Sequence, residues 1–205
     1  MRKNIYGDEP VKKKQVATQE SVDVDYTFNE VEYGLNIDDS IVYIHGDIVI
    51  GCLFDFISKV RIILNNRPED KKSDPVTLMI NSNGGDVYEA LGIIDYISTL
   101  SVPVNVVARG RAMSAAAMIL CCGTGVRAAS KSSTIMLHEV SAEIFGKSAD
   151  IKANAEHIDY IEDEFFKLMS VKTNQTDEFW RKSCRKDFYM NAEKALEFGI
   201  IDKII

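Results

Sequence analysis

Beyond residue 40, apolar positions fall into short runs separated by helical stripes. Ile41-Val42-Tyr43-Ile44-His45 is β-branched and aromatic, is closed by Gly46-Asp47, and predicts a strand. Leu53, Phe56, Ile57, Val60, Ile63 and Leu64 recur at the i, i+3, i+4, i+7 spacing of one helix face, which ends at Asn65-Asn66. After a polar loop over 67–75, residues 76–80 form a continuous apolar run, the pattern of a strand buried on both faces. Asn83-Gly84-Gly85 breaks this run, and Asp86 is placed to cap a helix with Val87, Ala90, Leu91, Ile94 and Ile97 inward. Residues 102–108 predict another buried strand, Gly110 a turn, and 114–122 a short helix of small residues ended by Gly123-Thr124-Gly125. Short strands follow at 126–128 and 134–137. A long amphipathic helix is predicted over 149–172, with Ile151, Ala155, Ile158, Ile161, Phe165, Leu168 and Met169 as its apolar positions. Thr176 and Asn191 cap two shorter helices, the second stopping at Gly199 before an apolar tail.

Strands alternating with helices make this an α/β chain with right-handed crossovers. Residues 1–38 differ: they are charged, poor in large aliphatics, and carry Lys12-Lys13-Lys14 and the acids Asp23, Asp25, Glu30 and Glu32. They read as a flexible arm, ordered in part or only on assembly, in front of one domain over 39–205.

At 205 residues the chain can bury about 70% of its unfolded surface without a disulfide or metal staple. The net charge of −7 opposes nucleic-acid binding, which needs a basic face to displace counterions. The richest apolar stretch, 112–122, is too short to span a bilayer and contains Ser114, and the opening residues lack the apolar core of a secretory signal. Cys52, Cys121, Cys122 and Cys184 show no metal-ligand spacing and read as buried free thiols in a reducing compartment. No cofactor is expected.

Chemistry narrows to a few positions. His45 and His157 have ordinary structural settings, whereas His138 ends an apolar strand before a polar loop, at the carboxyl end of a sheet where α/β proteins place their sites. Ser114 follows a strand and opens a helix among Ala112, Ala115, Ala116 and Ala117. It is either a packed helix-capping serine or an exposed nucleophile on a tight turn, although the G-x-S-x-G spelling is absent. Gly84-Gly85 makes either a plain turn or a backbone donor for an oxyanion; it lacks the lysine of a phosphate-binding loop. A carboxylate orienting His138 cannot be chosen among 31 acids by spacing, but Asp187 precedes Phe188-Tyr189-Met190, which could bury it.

At these residues the chain resembles the proteolytic subunit of the Clp protease, a serine peptidase, over about 41–205. Met79-Ile80-Asn81-Ser82-Asn83-Gly84-Gly85 resembles its I-N-S-P-G-G turn, and Gly110-Arg111-Ala112-Met113-Ser114-Ala115-Ala116 its nucleophile segment. Met136-Leu137-His138-Glu139 resembles its histidine segment. The run from Lys186-Asp187-Phe188-Tyr189-Met190-Asn191-Ala192 to Gly199-Ile200-Ile201-Asp202 resembles its carboxyl-terminal end. The resemblance implies a ClpP/crotonase-like spiral of ββα units with a handle over about 140–172, and a catalytic triad of Ser114, His138 and Asp187. It also implies an oxyanion hole from the Gly85 and Ala115 amides. Val140, Ser141, Ala142, Glu143, Ile144 and Phe145 fall where the family has its substrate-binding strand.

The implied protein is a homo-oligomer of heptameric rings, a tetradecamer when two rings join, acting on unfolded polypeptides fed by an AAA+ unfoldase. Its location would be the cytoplasm, an organelle stroma or a phage-infected host cytoplasm. The chain departs from the pattern at Asn83 and Val140, where proline is usual, and at Ala115-Ala116, where Met-Gly is usual. Lys186 stands in place of an arginine that ties rings together, and Thr77 and Met79 in place of docking-pocket aromatics, so the docking pocket is atypical. Three other readings start from the same residues: an inactive ring-forming scaffold, a crotonase-like acyl-CoA enzyme, and a phage head-maturation protease of the same superfamily.

Overall fold

The computed structural model describes residues 26–205; the first 25 residues of the expected arm lie outside the described residues. Strand β2 (Ile41–His45) opens the domain where the β-branched run predicts it. Helix α2 (Cys52–Asn66) carries the predicted stripe and buries Phe56, Val60 and Ile63. Strand β3 (Val76–Ser82) and helix α3 (Val87–Thr99) follow, with Asp86 accepting from the amides of Tyr88 and Glu89. Strand β4 (Val104–Met113) leads into helix α4 (Ala115–Cys121). Strands β5 (Arg127–Ala129) and β6 (Thr134–Leu137), helix α5 (Ser148–Lys172) and helix α6 (Asp177–Ser183) complete the middle of the chain. Strand β7 (Phe188–Met190), helix α7 (Ala192–Glu197) and strand β8 (Lys203–Ile204) end it.

Ahead of β2, helix α1 (Tyr26–Tyr33) and strand β1 (Leu35–Asn36) occupy positions that composition assigns to the arm. β1 pairs antiparallel with β2, and Glu30 accepts from the Tyr43 hydroxyl at 2.5 Å and from Asn36 Nδ2 at 3.0 Å. A charged segment with few aliphatics is thus held by two polar contacts, by its pairing with β2 and by Leu35 in the core, and a single buried aliphatic leaves no periodicity to read.

The sheet runs β1-β2-β3-β4-β5-β8, parallel from β2 onward, with β6 also pairing β4 and β7 pairing antiparallel to β6. Two expectations change. Residues 76–80 are not buried on both faces: Val76, Leu78, Ile80 and Ser82 are buried, while Thr77, Met79 and Asn81 are half-exposed on a face the chain leaves partly uncovered. Nor does Gly110 reverse the chain. At φ +88° it sits in a bulge, where the register passes from Ile80↔Ala108 to Ser82↔Ala112, so four steps of β4 match two of β3. Below this bulge β4 pairs with β5, and above it with β6.

The core fills the space among the sheet, α2, α3 and α4, the last buried along its whole length. Helix α5 buries only its second half, through Ile161, Phe165, Phe166 and Met169, while Ile151 and Ala155 are exposed. Arg127 ties the ends of several elements. Its Nη1 donates to the carbonyls of Cys121, Lys172 and Gly199, and its Nε and Nη2 reach Asp202 at 3.1 and 2.5 Å. Cys121, Cys122 and Cys184 are buried and Cys52 is half-buried; all four are free. No helix among the described residues is long and apolar enough to cross a membrane.

Candidate active site

Ser114 stands between β4 and α4 with φ +52° and ψ −125°. A non-glycine residue held there stores about 1–3 kcal/mol of strain, which persists only where the surroundings over-determine it. They do so here. Val104, Val106, Ala108 and Ala112 bury β4, the Ala115–Cys121 helix buries every residue that follows, and the Ser114 amide donates to the Met136 carbonyl at 2.8 Å. The β4–β6 ladder ends on Met113↔Met136, so His138 leaves β6 beside the turn that carries Ser114. Its Nε2 lies 2.7 Å from the serine Oγ. A hydroxyl and an imidazole at that distance meet the geometric requirement for a nucleophile and its general base.

The glycine turn closes against the same corner. The Ile48 amide donates to the Gly84 carbonyl and the Asp86 amide to the Ile48 carbonyl, pinning the turn to the chain after β2. Gly84 has φ +97°, and a Cβ there would come within 2.5 Å of the Met113 carbonyl oxygen, 2.8 Å of Ser114 Cβ and 2.9 Å of the Ala115 nitrogen. Gly85 has φ +143°, and its Cβ would meet the Ile48 carbonyl oxygen at 2.1 Å. Only glycine lets two turns approach this closely. Among the described residues neither the Gly85 nor the Ala115 amide has a protein acceptor, so both are free to donate.

A cleft of about 200 Å³ opens over this corner. Gly85, Ser114, Ala115 and His138 form its polar floor, and Val87, Tyr88, Met118 and Phe165 give it an apolar wall. Of the expected substrate segment, Val140 and Ser141 line this cleft. Residues 140–145 form no strand in the single chain; Ala142, Glu143, Ile144 and Phe145 instead line a second hollow with Tyr88, Asn154, His157 and Ile158. His157 is accounted for there by stacking on Tyr88 and Tyr160 and by a 2.9 Å bond to the Tyr88 hydroxyl.

Asp187 is brought near but not into contact. The antiparallel pair Leu137↔Phe188 puts position 187 opposite position 138 one step further on. Its carboxylate is nevertheless exposed rather than buried, and accepts from the Tyr189 hydroxyl at 3.4 Å. The aromatic residues that follow it turn elsewhere: Phe188 packs with Phe179, Trp180 and Phe198, and Tyr189 is exposed. Among the described residues, the ring of His138 bonds to Ser114 alone.

Several lining residues escape the sequence reading. Met118 and Phe165 match core periodicity and give no sign that one edge faces a cleft. Tyr88 and Asp86 could have been found, because a capped helix directly behind a double glycine must place its first turn beside whatever that turn serves.

A family model described as Clp protease matches residues 37–205. ATP-dependent Clp protease proteolytic subunit 1 of Prochlorococcus marinus (strain NATL2A) is 37% identical over 136 residues, covering 66% of this chain and 69% of the relative. Proteolytic subunit 2 of Synechococcus sp. (strain CC9605) is 36% identical over 138 residues, 67% of this chain and 70% of the relative. Proteolytic subunit 2 of Chlamydia pneumoniae is 38% identical over 138 residues, with 67% and 68% covered. The mixed α/β sheet described above is consistent with the ClpP fold, and with a matching model over the whole domain and relatives of this identity, the chain belongs to the Clp protease family.

Proposed function

We propose that this chain is a serine endopeptidase in which Ser114 is the nucleophile and His138 its general base. The observation that carries the reading is the 2.7 Å contact between Oγ and Nε2 at a serine whose backbone is held in a strained conformation. In the forward step the Ser114 oxygen attacks a peptide carbonyl carbon while its proton passes to Nε2. The carbonyl oxygen takes the negative charge and receives hydrogen bonds from the Gly85 and Ala115 amides. Collapse breaks the C–N bond, and the imidazolium gives its proton to the leaving amine. Water then attacks the acyl-enzyme by the same route and frees the serine.

Asp187 completes a triad when its carboxylate leaves Tyr189 and turns to Nδ1 of His138, one step beyond the β6–β7 ladder. Val140 to Phe145 would receive the substrate backbone as an added strand, its N–H and C=O groups being without partners among the described residues beyond the first residue. The exposed first half of α5 would pack handle against handle between rings and so enclose the active sites in a chamber. An AAA+ unfoldase would supply unfolded polypeptide in the cytoplasm. The hollow lined by Thr77, Asn105, Val107, Val126, Ala128, Lys203 and Ile205 would be its docking pocket, more polar than an aromatic one.

The scaffold reading draws on one observation, the separation of Asp187 from the imidazole. A fluorophosphonate probe decides between the two: covalent labelling at Ser114, lost in Ser114→Ala, is expected of the peptidase. A parent protein that stays unlabelled as an assembled ring would overturn it.

A further inference from the structure

Among the described residues, the chain leading away from His138 is held by hydrogen bonds at two points. The Glu139 amide donates to the Cys184 carbonyl at 2.9 Å, and the Val140 amide donates to Glu162 Oε2 at 3.1 Å. From 141 to 145 the backbone has no hydrogen-bond partner among the described residues, and only Ile144 of these five is even half-buried. Val140 and Ser141 nonetheless form part of the cleft wall. The height at which this wall stands over Ser114 is therefore set by the last anchored amide.

That anchor comes from α5. Glu162 is half-buried, and Phe165, three residues on and on the same side of the helix, lines the cleft itself. One helix face thus supplies both an apolar wall and the acceptor that fixes the opposite strand of chain. A carboxylate accepting from a backbone amide makes a charge-assisted bond, about twice as strong as a neutral one. Nothing in the nucleophile–base chemistry uses Glu162, and it touches neither Ser114 nor His138.

We infer that Glu162 is a positioning residue for peptide binding, its carboxylate fixing the Val140 amide and with it the segment that an extended substrate must lie against. The inference rests on the peptidase reading and adds to it a residue that governs KM and leaves chemistry at Ser114 alone. A small fluorophosphonate reaches the serine without needing the 140–145 segment, so labelling and peptide turnover separate the two roles.

The test measures steady-state cleavage of a fluorogenic peptide, and the rate of fluorophosphonate labelling, for the parent, Glu162→Ala, Glu162→Gln, Val140→Pro and the double variant Val140→Pro/Glu162→Ala. Loss of a charge-assisted bond predicts a KM about tenfold higher in Glu162→Ala, with kcat and labelling within about twofold of the parent. Glu162→Gln keeps an oxygen acceptor and should stay within about threefold in KM. Val140→Pro removes the N–H that Glu162 holds, so adding Glu162→Ala to it should cost nothing more.

An unchanged KM in Glu162→Ala overturns the inference. So does a full Glu162→Ala penalty in the Val140→Pro background, or a labelling rate that falls about as much as KM rises. Should Glu162→Ala fail to fold, Glu162→Asp carries the comparison: its carboxylate, one methylene shorter, draws back from the Val140 amide, so a raised KM at unchanged labelling supports the inference and an unchanged KM overturns it. A parent that never labels overturns the peptidase reading itself, a result distinct from all of these.

Discussion

Replacing Gly84 by alanine tests whether contact between the glycine turn and the serine turn is what aligns the two amide donors. The perturbation is one methyl group. At φ +97° it strains the backbone by about 1–2 kcal/mol. It also lands 2.5 Å from the Met113 carbonyl oxygen and under 3 Å from both Ser114 Cβ and the Ala115 nitrogen. None of these neighbours is the end of a flexible side chain. Restoring ordinary contact at roughly 3.5 Å therefore requires the two turns to part by about 1 Å. The Gly85 and Ala115 amides lie on either side of that gap, so the separation pulls one donor away from the proposed oxyanion position.

Losing one such donor costs about 10²–10³ in kcat, and a 1 Å misplacement at the reacting centre costs a similar factor. We expect Gly84→Ala to lower kcat for peptide hydrolysis about 100-fold while KM stays within about threefold. Gly46→Ala is the control: its φ of +86° imposes the same kind of strain, but a Cβ there meets nothing within 4 Å. Gly46→Ala should lose about 1 kcal/mol of stability and keep its kcat, whereas Gly84→Ala should lose about 1–3 kcal/mol more through its overlap with the serine turn. Initial rates on a fluorogenic peptide with matched thermal melts read out both effects. A Gly84→Ala enzyme turning over within twofold of the parent, or one no worse than Gly46→Ala, would refute the reasoning.

Ser114→Ala should lose on the order of 10⁶ in kcat yet keep its assembly state by native mass, since among the described residues the Ser114 side chain bonds to His138 alone. Burial pushes the thiols of Cys121 and Cys184 up to about 12 and that of Cys122 up to about 11. A maleimide at pH 8 should therefore modify Cys52 alone in the folded chain, and four thiols after denaturation, as counted by mass. Hydrogen bonds from Arg127 hold the Asp202 carboxyl below its usual range. A depressed native value means that its contribution is complete above the ordinary carboxylate pKa and fades as pH falls through the native one. Asp202→Asn should accordingly be less stable than the parent at pH 7, with the difference closing below about pH 4 in urea melts. If the gap persists at pH 2, the ion pair is not its source.

Local chemistry was legible where a residue acts on its own neighbours. Asp86, Thr176 and Asn191 cap the helices they were expected to cap, accepting from the amides of Tyr88 and Glu89, of Phe179 and of Lys194. The junction at Ser114 and the strand end at His138 could be named for the same reason: each follows from where an apolar run stops. What could not be read depends on distant partners. Gly110 announces a positive φ, but whether the chain reverses or bulges is decided by the strands on either side. The apolar run at 76–80 cannot say whether its second face is covered, and Ile151 and Ala155 fit a helix stripe that stays exposed among the described residues. Asp187 has its place along the chain set by ladder register, whereas the direction of its side chain is a rotamer choice with no pattern in sequence. Glu162 is one carboxylate among 31 acids, and only the fold brings it to Val140.

The bulge at Gly110 has a bearing on quality control during folding. Because β4 changes neighbours there, from β5 to β6, a slip of this strand by one step would expose Val104, Val106 and Ala108 and would also carry Ser114 away from Met136. Misaligned chains thus forfeit burial and the Ser114–His138 contact together. On the proposed chemistry, a half-folded protomer is poorly equipped to cut its sister chains while they too are still folding.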